Sequence, residues 1–140
     1  MTSPAVMLSG LVPNTIVGGS TGWILKVGKL VDSPDQVAVF YDTGGQNPNP
    51  RWLVDFSMVM VQVRGTANNY GSTYTKIRQV RDALLGLDSQ DVGSDRLVSI
   101  ICMGDIGFLS YDDAQRPLFS VNFRVIIEPA TDSITQREPL

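Results

Sequence analysis

An α+β fold is expected: an antiparallel or mixed sheet of about five strands, one long helix packed on one face, and a short N-terminal helix. Three features of the sequence predict it. Across residues 118–128, Phe119, Val121, Phe123, Val125 and Ile127 alternate with Ser120, Asn122, Arg124 and Glu128. That period of two is the mark of a half-buried antiparallel strand. Between residues 70 and 87 the spacing changes to three and four, through Tyr70, Tyr74, Ile77, Val80 or Arg81, Leu84 and Leu87. That is one apolar stripe on a helix. Further strand-like runs lie on both sides of the helix, so sheet and helix must share a core.

The elements follow in order. Ser3 can cap a helix that opens on Pro4, whose missing N–H costs nothing in the first turn. Gly10 and Pro13 keep that helix short. The run 18–22 (Gly-Gly-Ser-Thr-Gly) reads as a flexible link. Residues 23–30 form a first strand and residues 36–41 a second, with Val37, Val39 and Tyr41 on one face and Ala38 and Phe40 on the other. The Asp32-Ser33-Pro34-Asp35 segment between them is turn chemistry. Residues 42–50 hold two glycines, two prolines and two asparagines and read as an exposed loop. Residues 56–64 are the clearest strand, with Ser57, Val59, Val61 and Val63 on the buried side. Asn68 or Asn69 can cap the long helix, Gly86 can end it, and Lys76, Arg78, Gln79 and Asp82 cover its solvated face. Residues 88–95 read as a polar loop and residues 96–103 as a fourth strand. A turn or bulge at 104–107 precedes a possible continuation through 111, and residues 112–115 make a hairpin-like turn into the last strand. One domain over residues 1–129 and a mobile C-terminal tail over 130–140 are expected.

Composition excludes several function classes. The 140 residues are 43% hydrophobic and 18% charged, with a formal net charge of −3. That is globular composition without the basic excess a duplex-gripping protein uses to displace counterions. No apolar run is long enough to cross a membrane as a helix. The start, Met1-Thr2-Ser3-Pro4, does not read as a secretory signal, so a cytoplasmic origin is expected. The one cysteine, Cys102, lies in an apolar run and reads as a buried thiol.

There is no histidine, which removes His-based nucleophilic triads and His zinc sites. No metal and no cofactor is expected. One fragment invites a catalytic reading. Asp42-Thr43-Gly44 resembles the aspartic-protease signature, in which two loops meet and two carboxylates share a proton. A chain this short would have to dimerise to supply both. Gly45 stands where that family usually has Ala or Ser, and the Pro-Asn-Pro tract that follows does not read as the next strand. Asp-Thr-Gly-Gly is also good turn sequence. Arg64, Lys76, Arg78 and Arg81 could form a phosphate patch, against which stand a solvated helix face and ordinary helix-end electrostatics. Trp52, beside Arg51, is either folded back on the core or a binding anchor.

An ordered set of pieces carries a family resemblance. Residues 32–45 (DSPDQVAVFYDTGG), residues 55–65 (DFSMVMVQVRG), and a helix with Tyr74, Ile77 and Arg81-Asp82-Ala83-Leu84 before Gly86 follow one another at suitable spacing. Together with the two closing strands, they resemble the tail terminators of long-tailed bacteriophages, also described as minor capsid or tail completion proteins, across about residues 30–128. Ser57 departs from the proline expected before the apolar strand, and the first helix is shorter than in that pattern.

The resemblance implies a non-enzymatic virion protein, made in the host cytoplasm and placed at the head-proximal end of the tail. It would form a homo-oligomeric ring, usually a hexamer, that caps the tail tube, stops its polymerisation and presents a surface to a head-completion or connector protein. DNA would pass through the hole without specific binding. Such a ring needs two complementary patches on each subunit, because rotational closure is heterologous. The candidate subunit or partner contacts are Asp42, Gln46, Asn49, Arg51, Trp52, Arg64 and Arg78. Another head–tail joining or tail-tube protein is the alternative, and an aspartic protease dimer built on Asp42 the remote one.

Overall fold

The structure, a computed structural model, describes residues 2–140. It contains two helices and seven strands. Helix α1 spans Pro4–Leu11 and α2 spans Tyr70–Leu84. The strands are β1 (Ile24–Val27), β2 (Val37–Gly45), β3 (Asp55–Arg64), β4 (Gln90–Val92), β5 (Asp95–Cys102), β6 (Gly107–Tyr111) and β7 (Pro117–Glu128). They form one mixed sheet in the order β1-β2-β3-β7-β5-β4, with β6 also paired to β7. Only β1 and β2 run parallel.

β7 is the axis of the sheet. Its alternation is the one expected from sequence: Phe119, Val121, Phe123, Val125 and Ile127 are buried, and the residues between them are half-buried. On one side it pairs with β3 in an unbroken register, from Asp55 opposite Ile127 to Arg64 opposite Leu118. On the other side β5 and then β6 run along it in succession. They are two halves of one interrupted strand, and Met103 still donates its N–H to Asn122 across the interruption (2.8 Å). The turn 112–116 closes β6 and β7 into a long hairpin.

The core lies on one face of the sheet. Val59, Val61 and Val63 of β3, Ala38 and Phe40 of β2, and the five inward residues of β7 meet Ile77, Val80 and Leu84 of α2. Ala5, Met7 and Leu8 of α1 join the same cluster. Each full burial of a Val, Leu, Ile, Phe or Met side chain there stabilises the fold by roughly 1.5–3 kcal/mol. Val37 and Val39 are buried outside that cluster, on the opposite face, as the alternation of β2 requires.

α1 starts as its sequence dictates. Ser3 is its N-cap and accepts from the Val6 N–H (3.2 Å), and Pro4 fills the first turn. It runs through Gly10 and ends at Leu11, two residues before Pro13. α2 begins without the expected cap. Asn69 occupies the N-cap, but its side chain turns to Thr66 Oγ1 (3.2 Å). The helix ends before Gly86, which takes φ +78.

Three expectations require correction. The sheet has seven strands where about five were expected, and the helical layer is made by two core helices. The polar segment 88–95 contains β4, which pairs with β5 around a two-residue turn at Gly93-Ser94. Gly93 takes φ +61 there, as the first central residue of a type II′ turn does. Three residues are too few to show an alternation. The segment 42–50 is also not wholly loop. β2 continues through Gly45 by way of a bulge, with Gly45 opposite Ser57. A side chain at Gly45 would strike the Phe56 carbonyl, and its φ of +135 suits glycine alone.

Candidate functional site

The seven candidate contact residues do not form one site. Gln46, Asn49, Arg51 and Trp52 gather at the Asp55 end of β3, with Asp42 on the adjoining strand. Arg64 lies at the opposite end of β3, nine residues and about 30 Å away. Arg78 stands on the exposed side of α2, within 3.9 Å of Asp82.

The gathered residues owe their arrangement to backbone hydrogen bonding. Asn49 Oδ1 accepts from the N–H groups of Arg51 (2.9 Å) and Trp52 (2.8 Å), which tightens the turn after Pro48. The Arg51 guanidinium sits 4.9 Å from the centre of the Trp52 ring, a cation–π distance. Gln46 donates its N–H to the Phe56 carbonyl (2.9 Å). Arg137 and Glu138, within the 130–140 segment, bond at this place. Leu53 donates to the Glu138 carbonyl (2.8 Å), and Glu138 donates to the Arg51 carbonyl (2.7 Å). Arg137 Nη1 bonds Asp55 Oδ1 (2.9 Å). An open groove of about 550 Å³ lies between the loop and this tail, lined by Gly45, Gln46, Pro48, Phe56 and Arg137. Asp42 has a structural partner: its Oδ1 accepts the Ala5 N–H in the first turn of α1 (2.8 Å). A carboxylate there complements the positive end of the helix.

Arg64 is a buried clamp with 3% of its surface exposed. Its guanidinium donates to the carbonyls of Asp32 (3.3 Å), Pro34 (2.9 Å) and Asp35 (3.0 Å). Burial and the nearby Arg116 charge push its pKa down. Arg116, which the sequence did not single out, is the stronger clamp. It pairs with Asp32 (2.9 Å), Asp35 (3.0 Å) and Asp112 (2.7 Å). Those bonds, that to Asp32 foremost, hold the guanidinium pKa well above its ordinary value. Burial acts to raise the Asp112 carboxyl, but hydrogen bonds from Arg116 outweigh it and hold the group below the usual carboxylate range. The two arginines fasten the 32–35 turn to the ends of β3 and β7. Asp95 is a second carboxylate the sequence did not flag. It is buried and ties the two ends of the chain together, accepting from the N–H of Thr2 (3.2 Å) and of Ala130 (2.8 Å).

The basic helix face is partly accounted for. Lys76, expected on the solvated side, donates to the Ile16 carbonyl (2.9 Å) and lies 5.5 Å from the Trp23 ring centre. Burial lowers its pKa. Arg81 bonds Asp105 (2.7 Å) and Asp82 (2.9 Å). Cys102, expected as a buried thiol, is half-buried, and its desolvation raises its pKa.

The feature sequence reasoning missed is an edge. Every residue of β6 is exposed. Val98, Ile101, Met103, Phe108, Leu109 and Tyr111 each keep 37–48% of their surface in solvent. Tyr70 and Tyr74 of the helix stripe are also exposed, because Thr73 takes the buried position beneath them. Thr73 packs so closely on Gly65 that any side chain at 65 would overlap it. Tyr70 instead packs on Phe108 (centroids 5.3 Å) and Phe119 (4.8 Å), extending the core outward as an aromatic ledge. A run of apolar residues on 98–111 was visible in the sequence. That they face outward was not.

No cluster of potential metal ligands occurs among the described residues, and no described helix is long and apolar enough to cross a membrane. What the surface offers is contact: an apolar strand edge, an aromatic ledge and a looped end. That is the equipment of a structural protein that works by assembling. A sequence model of the family described as bacteriophage tail terminator protein matches residues 13–129. The chain belongs to that family. It is a structural protein of the phage tail, located in the virion, and its family associates with tail and head components. No curated protein sequence matches it significantly.

Proposed function

We propose that the chain closes into a ring, most simply a hexamer, at the head-proximal end of the tail tube, where it ends tube growth and receives the head-completion protein. The observation that carries this reading is the edge that runs past the β4 pairing, from residue 98 of β5 through β6, with its six exposed large apolar residues. An exposed hydrophobic edge strand invites pairing, and natural proteins blunt or cover it. A ring supplies that cover on every subunit at once. The two ends of the sheet then become the two faces of the ring. One carries the Gly45–Trp52 loop and the residues 130–140 beside it, and the other the Arg64–Arg116 clamp.

Asp42, Gln46, Asn49, Arg51 and Trp52 belong to the first face as axial contacts, and Arg78 to the outer wall. Arg64 acts indirectly, by holding the 32–35 turn. The activity is mechanical, with no catalytic role for Asp42, whose carboxylate caps α1. Assembly takes place in the host cytoplasm, and the hole passes DNA without gripping it, in keeping with the formal charge of −3.

Mixing the protein with polymerising tube subunits tests the reading. Tubes should stop at a length set by the protein-to-tube ratio, with the protein at one end only. Protein built in along the tube would show a tube subunit instead. Tubes that lengthen unchanged would overturn the cap.

A further inference from the structure

The ring reading leaves open which surfaces meet, and the sheet edges answer that. β6, with the part of β5 beyond its pairing to β4, is one unpartnered side. The other is β1, at the far end of the strand order. In β1 the N–H groups of Ile24 and Gly28 are used inward, bonding the carbonyls of Gln36 (3.2 Å) and Phe40 (2.8 Å) on the β2 side. By strand alternation the N–H groups of Leu25 and Val27 point away from β2, on the open side. β1 has four residues and β6 has five, so β6 is long enough to pair with all of β1.

Side chains match as well. Val27 is 40% exposed. It shares a face with Leu25, which packs on the core, and so lies on the helix side of the sheet. Phe108 lies on that side too, through its contacts with Tyr70 and Phe119. Charge is complementary. Lys26 and Lys29 are exposed and make no ion pair among the described residues. The β6 edge is flanked by acidic groups: Asp113, exposed and without a side-chain partner among the described residues, and Asp105, whose carboxylate is shared with Arg81.

We infer that the β6 edge of one copy takes the β1 edge of the next copy, so that the sheet continues from subunit to subunit around the ring. This rests on the ring reading and specifies its joint. The contact is strand addition: main-chain hydrogen bonds supply affinity, and the lysine–aspartate match sets partner and orientation. Because the two edges differ, the contact is heterologous and closes by rotation.

Two charge-reversed proteins test the joint. Lys26→Glu with Lys29→Glu makes both edges acidic. Ser110→Lys with Asp113→Lys makes both basic, and leaves the Asp105–Arg81 pair intact. All four positions are exposed, so both proteins should fold, which circular dichroism checks. Native mass spectrometry over a concentration series then reads assembly. Wild type should form a closed ring. Each variant alone should associate on the order of 100-fold more weakly, since facing like charges cost several kcal/mol. Mixed at equal amounts they should form rings again, containing the two proteins in equal number, because each acidic edge then meets a basic one.

Variants that each form rings as well as wild type would overturn the joint while leaving the ring intact. Variants that fail alone and also fail when mixed would overturn the charge match that chooses this joint. A wild type that never self-associates, alone or on tube ends, would overturn both the joint and the ring beneath it. Rings that form normally in both variants but no longer bind tube ends would reassign the β6 edge to the tube protein.

Discussion

The two sides of β7 carry similar apolar content and use it in opposite ways. On the β3 side ten residue pairs run in one register without a shift. On the β5–β6 side the register slips twice, between Leu97 and Ser99 and between Phe108 and Ser110, and residues 103–106 interrupt the pairing. A strand sends alternate side chains to opposite faces, so each slip changes which residues point where. The unbroken ladder can place Val59, Val61 and Val63 all inward. The slipped one buries Leu97, half-buries Ile100 and Cys102, and leaves Val98, Ile101 and Met103 in solvent. One side of β7 is interior. The other is built as a surface with interior-like residues, as an assembly protein requires.

The sharpest way to break this comparison is to cut into the closed side. Phe123 is fully buried at the middle of the β3–β7 ladder, opposite Val59. Phe123→Ala should cost about 3–5 kcal/mol of stability, as full aromatic truncations do. A urea melt showing a loss under about 1 kcal/mol would mean that this side is no better packed than the edge.

A smaller effect is expected at the Arg116 clamp, where the closed ladder meets the β6–β7 turn. Arg116→Ala removes charge-assisted bonds to three aspartates and should cost about 2 kcal/mol. The clamp also fixes a pH dependence. Asp112 of the clamp titrates below the ordinary carboxylate range, as do two carboxylates outside it, Asp105 beside Arg81 and Asp132, which accepts the N–H groups of Ile134 and Thr135. Carboxyls depressed in the folded state contribute stability above their unfolded value, near about 3.9, and lose it as pH falls through the lower folded value. The urea midpoint should hold from neutral pH down to about 4 and then drop. Asp112→Asn should flatten part of that drop, and an identical acid profile in the variant would remove the clamp from the account.

The smallest stability effect belongs on the open side. Leu109 is 48% exposed, so Leu109→Ser should shift the melt by no more than about 0.5 kcal/mol. The same substitution should weaken ring formation measurably in a dilution series. A large loss of monomer stability with normal assembly would reverse the comparison, making the edge part of the core and the contact lie elsewhere.

Much of this was determined by the sequence itself. Local rules decided it. The β7 alternation fixed one inward face, the three-and-four spacing fixed α2, Ser3-Pro4 fixed the start of α1, and the ordered segments from 32 to 86 carried the family resemblance. These depend on periods and turn chemistry within a dozen residues, and such signals survive in a linear chain. Tertiary structure alone decided the rest, because it depends on partners distant in sequence. Arg64 and Arg78 look alike in the chain, yet one is buried against the carbonyls of residues 32–35 and the other is in solvent. Tyr70 and Tyr74 hold helix-stripe positions, but Gly65 draws Thr73 into the core in their place. Asp95 and Asp55 look like ordinary surface charges until the terminal segments of the chain reach them. The outward turn of residues 98–111 comes from two register slips against β7, and a slip is a property of a pair of strands, which neither strand's sequence contains by itself.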